Sequence, residues 1–499
     1  MPMLWLFWAC ATPPDTAPPA PQEEVGDSGE VLDDDVATDV LVVGGGLAGL
    51  SAGLSAIENG AEVIILEKQH TAGGAARWAS TMLFAGTQTQ AAAGVNDSPE
   101  ALLAEWAALT DGGDPHCPWV QRVATGGPAL HDWLVDRGVG FRLGPATEAS
   151  PVARGHGIEG GGEAVVQAVI DELPGGVLWT GWEVTGLEPR PGGGARVEAV
   201  GPDGVLQTFS APAVVVATGG FLRDQELLEQ AIPGVVPENL WHSSGTWTDG
   251  RGHRLLQELG AHWENPGTIN VLAHGLPHPR PERPGHELVL SSLGEAVWVN
   301  ADGARFTDES RSARPETGAE LLAQPAHEAW AIFDADVPLE LEGQLMDVMA
   351  GDGERIVDDV DLEDLIAAGH AAQSPDLAGL ARALDLDEAG LLQTAAQMEE
   401  RWRRGEPDPL QGRRFHGLDH GPFVALRVVP ALGKAFGGIA VDSDGLVVGP
   451  DDLPIAGLYA AGELTGMAGG TLVGERPFAG SLSAVMVSGR VAGESAARR

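Results

Sequence analysis

Near the start of the chain, Gly44, Gly46 and Gly49 stand in a Gly-x-Gly-x-x-Gly pattern, with Leu47 and Ala48 between the last two glycines, and Glu67 follows downstream. Residues of these types at this spacing recognise a phosphate anion and a sugar. Gly44 permits a tight turn, Gly46 lets the backbone approach a pyrophosphate, and Gly49 lets a helix pack closely on a strand. The free N–H groups of a helix N-terminus then face the phosphate charge. Glu67, followed by Lys68, sits where a ribose hydroxyl needs an acceptor. A second small-residue loop, Thr71-Ala72-Gly73-Gly74-Ala75-Ala76-Arg77, would admit a cofactor against backbone.

The elements that must position these residues are legible around them. Val40 to Val43 is a short β-branched run, as a buried strand requires. A helical run of small residues follows the glycines and ends near Asn59-Gly60, and Val63 to Leu66 is a second strand delivering Glu67. Strand, glycine turn, helix, strand and acid, in that order, predict a dinucleotide-binding unit.

At 499 residues the chain has room for two or more domains, and 43% apolar content supports real cores. The formal net charge of −43 argues against nucleic acid and anionic membrane surfaces as partners. No segment is long enough to span a bilayer. Two cysteines, Cys10 and Cys117, make neither a disulfide framework nor a Cys-rich metal site. No Cys-x-x-Cys-His occurs, so electrons leaving a cofactor would go to a partner or a small carrier. His274 and His278 stand four apart, as do His416 and His420, but Gly and Pro between them disfavour a helical metal pair, and no metal is expected.

Residues 1–9, MPMLWLFWA, run straight into Cys10 and then a Pro-, Asp- and Glu-rich stretch to 35. This resembles a bacterial lipoprotein signal with a disordered acidic tether over 10–35. It predicts lipid attachment at Cys10 in the cell envelope, facing the periplasm or exterior. It departs from the usual pattern in lacking a basic residue before the apolar run and in carrying bulky Phe7 and Trp8. Beyond it, 98–137 and 163–171 carry helical patterns, and 176–210 alternate as short strands. Ala213 to Gly220 is a buried strand running into glycines, and Thr248 to Gly252 opens a helix over 253–259. Trp298 to Phe306 predicts a hairpin around Asp302-Gly303, and 361–404 reads as strongly helical and acidic. The last part returns to strands, then Gly457 to Glu463, then a closing helix from about Ser481. The division expected is a first part over 36–261, an inserted unit over 262–432, and a second part over 433–499.

Taken together, VVGGGLAGLSA, the ILEK acid, TAGGAARWAS, VVVATGGF, the GRG helix start, VNADGARF, PFVALRVVPALGKAFGG, GLYAAGE and GERPFAGSL with SGRVAGE resemble the flavoprotein subunits of fumarate reductase and succinate dehydrogenase. Soluble single-chain members and urocanate reductases are the more similar branch. The resemblance implies an α/β fold: a GR2-type, Rossmann-like FAD-binding domain with an inserted α+β capping domain. It implies FAD, with contacts from Gly44, Gly46, Leu47, Ala48, Gly49, Glu67, Lys68, Gly73, Gly74, Ala75, Ala217, Gly219, Gly462, Glu463, Ser481 and Leu482. A helix start at Ser481-Leu482 aimed at the flavin would stabilise negative charge on the reduced ring.

The activity implied is hydride transfer between flavin N5 and a C–C bond adjacent to a carboxylate or carbonyl, with a proton moved at the neighbouring carbon. The family's histidine before Met-Gly-Gly is Lys434 here, and its substrate-clamping arginine matches Arg476. The family's acid arginine aligns with Ala313, with Arg311 and Arg314 on either side, and either would serve after a small shift. His274 corresponds to a further family histidine after a gap. Trp and apolar residues of the cap would close over the substrate. The substrate expected is a small organic acid or enone, and the electron partner a quinone or cytochrome. Two alternatives stay open. One is a 3-ketosteroid-Δ1-dehydrogenase-like desaturase, against which stands the single tyrosine, Tyr459, inside a cofactor motif. The other is a non-catalytic tethered electron carrier.

Overall fold

The computed structural model describes residues 35–499 apart from 110–117, 147–150, 236–238, 243–244, 246, 278, 280–285, 289–292, 312–314, 338–344, 351–353, 358–359 and 467–480. The expected leader and most of the expected tether, with Arg314 and Arg476, lie outside the described residues. The chain divides into two compact units. The first takes in the chain up to Phe221, Gly250–Pro266 and Ala435–Arg499; the second takes in Leu222–Asp249 and Gly267–Lys434.

The first unit is built on a six-stranded sheet. Its order is Leu446–Val448, Pro454–Ala460, Ala213–Val216, Val40–Val43, Val63–Glu67, Leu178–Thr180. All neighbours pair parallel except the antiparallel edge strand Leu446–Val448. Strands of such a sheet are covered on both faces, so they read as continuous apolar runs. Val40–Val43 shows the consequence: Val40 and Val42 belong to one core, Leu41 and Val43 to the other. The first core holds the opening helix Leu47–Glu58, the helices Pro118–Asp136 and Gly161–Ile170, and the closing helix Ser481–Ala497. The second core lies under an antiparallel meander, Glu183–Pro189, Ala195–Val200 and Leu206–Ala211. There Trp179, Trp182 and Phe209 meet with ring centroids 5.3–5.7 Å apart.

The second unit is organised around one long strand, Phe423–Ala435, whose last residue already belongs to the first unit. Ala329–Phe333 and Ala371–Ser374 pair antiparallel with its first half, and Trp241–His242 runs parallel to Ala431 and Leu432. The strand Ile269–Leu276 is also its neighbour. Alternation splits this unit's sheet as well: Ala329, Ala331 and Phe333 face one core, Trp330 and Ile332 the other.

The helical stretch 361–404 is interrupted where Ala371–Ser374 forms a strand between Leu362–Ala367 and Leu377–Leu384. Gly369, at φ +77°, ends the first helix, and pairing with Phe423–Leu426 then overrides the helical propensity of the alanines. At Asp302-Gly303 the turn forms, with Asn300 Oδ1 accepting from Asp302 N and Ala304 N. Only a single bridge, Val299 to Arg305, closes it, while Val297–Val299 pairs with Ala329–Phe333. The Arg305 side chain is engaged elsewhere: it forks onto Glu309 at 2.7 Å and reaches Asp408 at 2.6 Å.

Candidate FAD cradle and redox site

The glycine turn is tight for a steric reason. Gly44 sits at φ +106°, and a Cβ there would lie 2.5 Å from the carbonyl of Ala217. A Cβ on Gly49 would lie 1.9 Å from the carbonyl of Gly44, so only glycine lets the helix start this close to the strand. Gly46 is different. It caps the opening helix in extended conformation with no side-chain cap bond, and a Cβ there would meet nothing within 4 Å. The helix N-terminus therefore opens onto free space. Gly73 donates to Gly45 O at 2.8 Å, and a Cβ on Gly74 would stand 3.4 Å from Gly46 Cα. The two glycine loops thus form one floor of bare backbone, shaped for an anion of pyrophosphate type. Gly219, at φ +84°, leaves similar open space at the end of Ala213–Val216.

Glu67 is buried at the end of its strand. Its Oε2 accepts from Gly45 N at 2.6 Å and its Oε1 from Gln69 N at 2.7 Å. Burial pushes its carboxyl above the usual range, while these backbone bonds and Lys68 pull the other way. With the Lys68 backbone bond also counted, the carboxylate's four lone-pair sites leave one for a sugar hydroxyl. The acid therefore also ties the glycine turn to the second strand, a role its spacing does not announce.

The C-terminal part completes the cradle. Gly462, at φ +76°, donates to Ser488 Oγ at 3.1 Å, and a Cβ on it would come within 2.6 Å of Ala48 Cβ. A Cβ on Gly220 would lie 2.4 Å from Glu463 Oε1, the same oxygen that accepts from Ala435 N at 3.0 Å. Leu482 is buried in the core of the first unit.

The closing helix packs backbone to backbone on the opening one. A Cβ on Gly489 would lie 2.2 Å from Ala48 O, and one on Gly493 would lie 2.0 Å from Ala52 O. Ser55 Oγ adds a bond to Arg490 O at 2.8 Å. Ala48 with Gly489, then Ala52 with Gly493, is a parallel register. The opening helix starts at Leu47, one residue before Ala48, and the closing helix at Ser481, eight before Gly489. At ~1.5 Å per residue the closing helix reaches ~10 Å further in the same direction. Two positive helix ends therefore point the same way, side by side and staggered. One suits a pyrophosphate and the other an electron-rich ring beyond it.

Of the redox candidates, Lys434 is half-buried, one residue before the end of Phe423–Ala435. His274 lies on the neighbouring strand Ile269–Leu276, so the second unit brings these two strands side by side. At the next position on that strand, a Cβ on Gly275 would lie 2.7 Å from Val429 O, which shows how closely the two strands approach. Arg311 ends a short turn, is exposed, and pairs with Asp308 at 3.0 Å. Tyr459 is buried in the sheet of the first unit, its hydroxyl donating to Ser495 O at 3.4 Å.

Sequence reasoning gave Ser488, Gly489 and Gly493, all in the stretch SGRVAGE, no role of their own. Their signal was present as a small-residue repeat in the closing helix, but only its partner reveals the purpose. It also missed a buried cluster in the first unit, where Arg154 forks onto Asp97 at 2.8 and 2.9 Å and reaches Glu105 at 2.6 Å.

A parallel sheet with a glycine-lined helix start and a tied acidic residue is the cradle of an FAD-binding fold, and the cofactor is FAD. The chain belongs to the FAD binding domain family, which matches residues 39–475. It is 29% identical to an NADH:fumarate oxidoreductase of Klebsiella pneumoniae, over 92% of this chain and 48% of that protein. The chain thus spans about half the length of that relative. It is 27% identical to a fumarate reductase (cytochrome) of Shewanella frigidimarina, over 92% of this chain and 77% of the other. The fold is also that of a 3-ketosteroid Δ1-dehydrogenase from Sterolibacterium denitrificans, with TM-score 0.74 and 19% identity over 93% of this chain and 99% of that one.

Proposed function

We propose that the protein transfers a hydride between FAD and a C–C bond adjacent to the carboxylate or carbonyl of a small organic substrate, as in fumarate reductases. The observation that carries this reading is the parallel, staggered pair of helix N-termini in the first unit. When bound, FAD supplies two-electron chemistry at its ring. The chain's own residues divide the remaining work. Gly46, Gly73 and Gly74 receive the pyrophosphate, and Glu67 holds a ribose hydroxyl. Arg476 grips the substrate carboxylate through two parallel bonds. Lys434 donates or holds the proton at the carbon next to the one that takes the hydride, with His274 as a further donor and Arg311 or Arg314 as a further cation. The relatives named fumarate reductase support the substrate class, and the stretch GKAFGG supports Lys434. The leader MPMLWLFWA before Cys10 supports a lipid-anchored enzyme of the cell envelope, served by a quinone or a cytochrome.

The test is anaerobic reduction of the purified holoprotein, followed by addition of fumarate, urocanate, related unsaturated acids and 3-keto enones. Return of the flavin's blue absorbance with an unsaturated acid is the expected result. Return with a steroid enone alone would favour the desaturase reading. Return with none of them, FAD content being intact, would favour an electron carrier.

A further inference from the structure

We propose that the second unit carries a binding site for a divalent transition-metal ion of the zinc class, formed by Asp334, Asp336 and His416. One ligand atom from each of these residues lies within 4.8 Å of the others. Asp334 and Asp336 follow directly on the strand Ala329–Phe333. His416 lies in the segment leading into Phe423–Ala435, and Ala335 N donates to His420 O at 2.8 Å, which draws the two segments together.

The reason to expect a cation is an acceptor left over in the interior. Asp334 is 5% exposed. Its Oδ1 accepts from Asp336 N at 2.9 Å, but its Oδ2 is buried and receives no hydrogen bond among the described residues. A buried, unsatisfied carboxylate oxygen is costly. What faces it is His416 Nδ1, at 3.8 Å, too far for a hydrogen bond. The other ring nitrogen of His416, Nε2, stands 3.3 Å from Asp419 Oδ2. A proton kept on Nε2 by that carboxylate leaves the Nδ1 lone pair aimed at Asp334. Two acceptors facing each other is the arrangement that a shared cation resolves. Two ligands each ~2.0–2.1 Å from one tetrahedral ion stand a little over 3 Å apart, so a small contraction closes the site. The carboxylate behind the imidazole is the usual outer partner of a metal-bound histidine.

The charge balance agrees. Asp334, Asp336 and Asp419 converge here, and the imidazoles facing them are His416 and His420. His420 Nδ1 already pairs with Asp336 at 2.9 Å and stacks on His416 with centroids 6.4 Å apart. An imidazole with two carboxylates suits zinc and its first-row neighbours better than calcium or magnesium. The open side, where Asp336 is exposed, leaves room for water as a further ligand. Bound there, the ion would clamp the segment before Phe423 to the end of Ala329–Phe333.

The experiment uses FAD-loaded full-length protein stripped with a chelator, then titrated separately with Zn²⁺, Mn²⁺ and Ca²⁺ by calorimetry, with elemental analysis of the product. The expected result is one Zn²⁺ per chain, a melting temperature that rises with Zn²⁺, and reversal by EDTA. Asp334→Asn and His416→Gln should each weaken Zn²⁺ binding on the order of 100-fold while FAD content is unchanged. His416 is on the rim, so its variant carries the test if Asp334→Asn fails to fold. Absence of stoichiometric Zn²⁺ binding, equal Zn²⁺ uptake by wild type and His416→Gln, or binding of Ca²⁺ in preference to Zn²⁺ would each overturn the proposal.

Discussion

Replacing Gly489 by alanine tests the packing that aligns the cradle. Helix propensity alone predicts a gain, since alanine in a helix interior is favoured over glycine by about 1 kcal/mol. The structure predicts the opposite. The new Cβ would lie 2.2 Å from Ala48 O and 3.0 Å from Ser51 Cβ, and Cβ contacts essentially never fall below 3.0 Å. The two helices would have to separate by about 0.8 Å, from 2.2 to 3.0 Å, against backbone rather than a yielding side chain. Overpacking of this sort costs about 3 kcal/mol, the upper end of the usual range, leaving a net loss of about 2 kcal/mol. The same shift moves the closing helix end away from the opening one, so FAD affinity should fall too. Gly126→Ala is the control. It is also mid-helix, but its Cβ would meet only Val487 Cγ2 at an ordinary 3.7 Å, so it should stabilise by about 0.5–1 kcal/mol. Urea unfolding of the apoprotein and fluorescence titration with FAD measure both quantities. If Gly489→Ala matched Gly126→Ala in stability and bound FAD as wild type does, the close-packing argument would be wrong.

The remaining predictions concern single side chains. Glu67→Gln keeps one acceptor for Gly45 N but turns an amide N–H₂ toward Gln69 N, so FAD affinity should drop on the order of tenfold or more in a fluorescence titration. Because burial raises the Glu67 carboxyl, the folded chain holds that proton more tightly than the unfolded one. Its contribution to apoprotein stability is present below the ordinary carboxylate value and lost as pH rises through the raised value, a dependence that Glu67→Gln should abolish. His156 is the opposite case. Burial, helped by nearby His131 and opposed by the bond to Arg154 O, lowers it from 6.5 to about 4, with Thr87 Oγ1 on its other nitrogen at 2.8 Å. Its contribution is present above pH 6.5 and lost as pH falls toward about 4, so the stability gap to His156→Gln should shrink by about 3 kcal/mol across that window; a gap independent of pH in chemical unfolding would contradict a buried neutral imidazole. Lys434→Met should lower turnover on a responsive unsaturated acid by ~100-fold or more with FAD content unchanged, and unaltered turnover would remove Lys434 from proton transfer.

The FAD half of this protein was legible because its signals are local. Gly49 is required by a contact five residues away, with Gly44 O, Gly44 by its own left-handed φ of +106°, and the all-apolar Val40–Val43 announces a strand covered on both faces. Local signals failed where pairing partners lie far along the chain. The alanines of Ala371–Ser374 suit a helix, and only the edge offered by Phe423–Leu426 makes them a strand. The Asp302-Gly303 turn forms as its local signal says, but the ion pair of Arg305 with Asp408, 103 residues on, is not written in the motif.

By itself, then, the amino-acid order determined the class of cofactor and the half of the cradle made by the opening strand, turn and helix, because glycine sterics and apolar periodicity act over one or two turns of chain. Only the tertiary structure decided that Gly489 and Gly493 set the opening and closing helices parallel, that Glu67 ties the glycine turn to its neighbouring strand, and that Asp334 is left facing His416 with an unsatisfied oxygen. Those are distances between atoms far apart in sequence, and burial and hydrogen-bond satisfaction exist only once such atoms have been brought together.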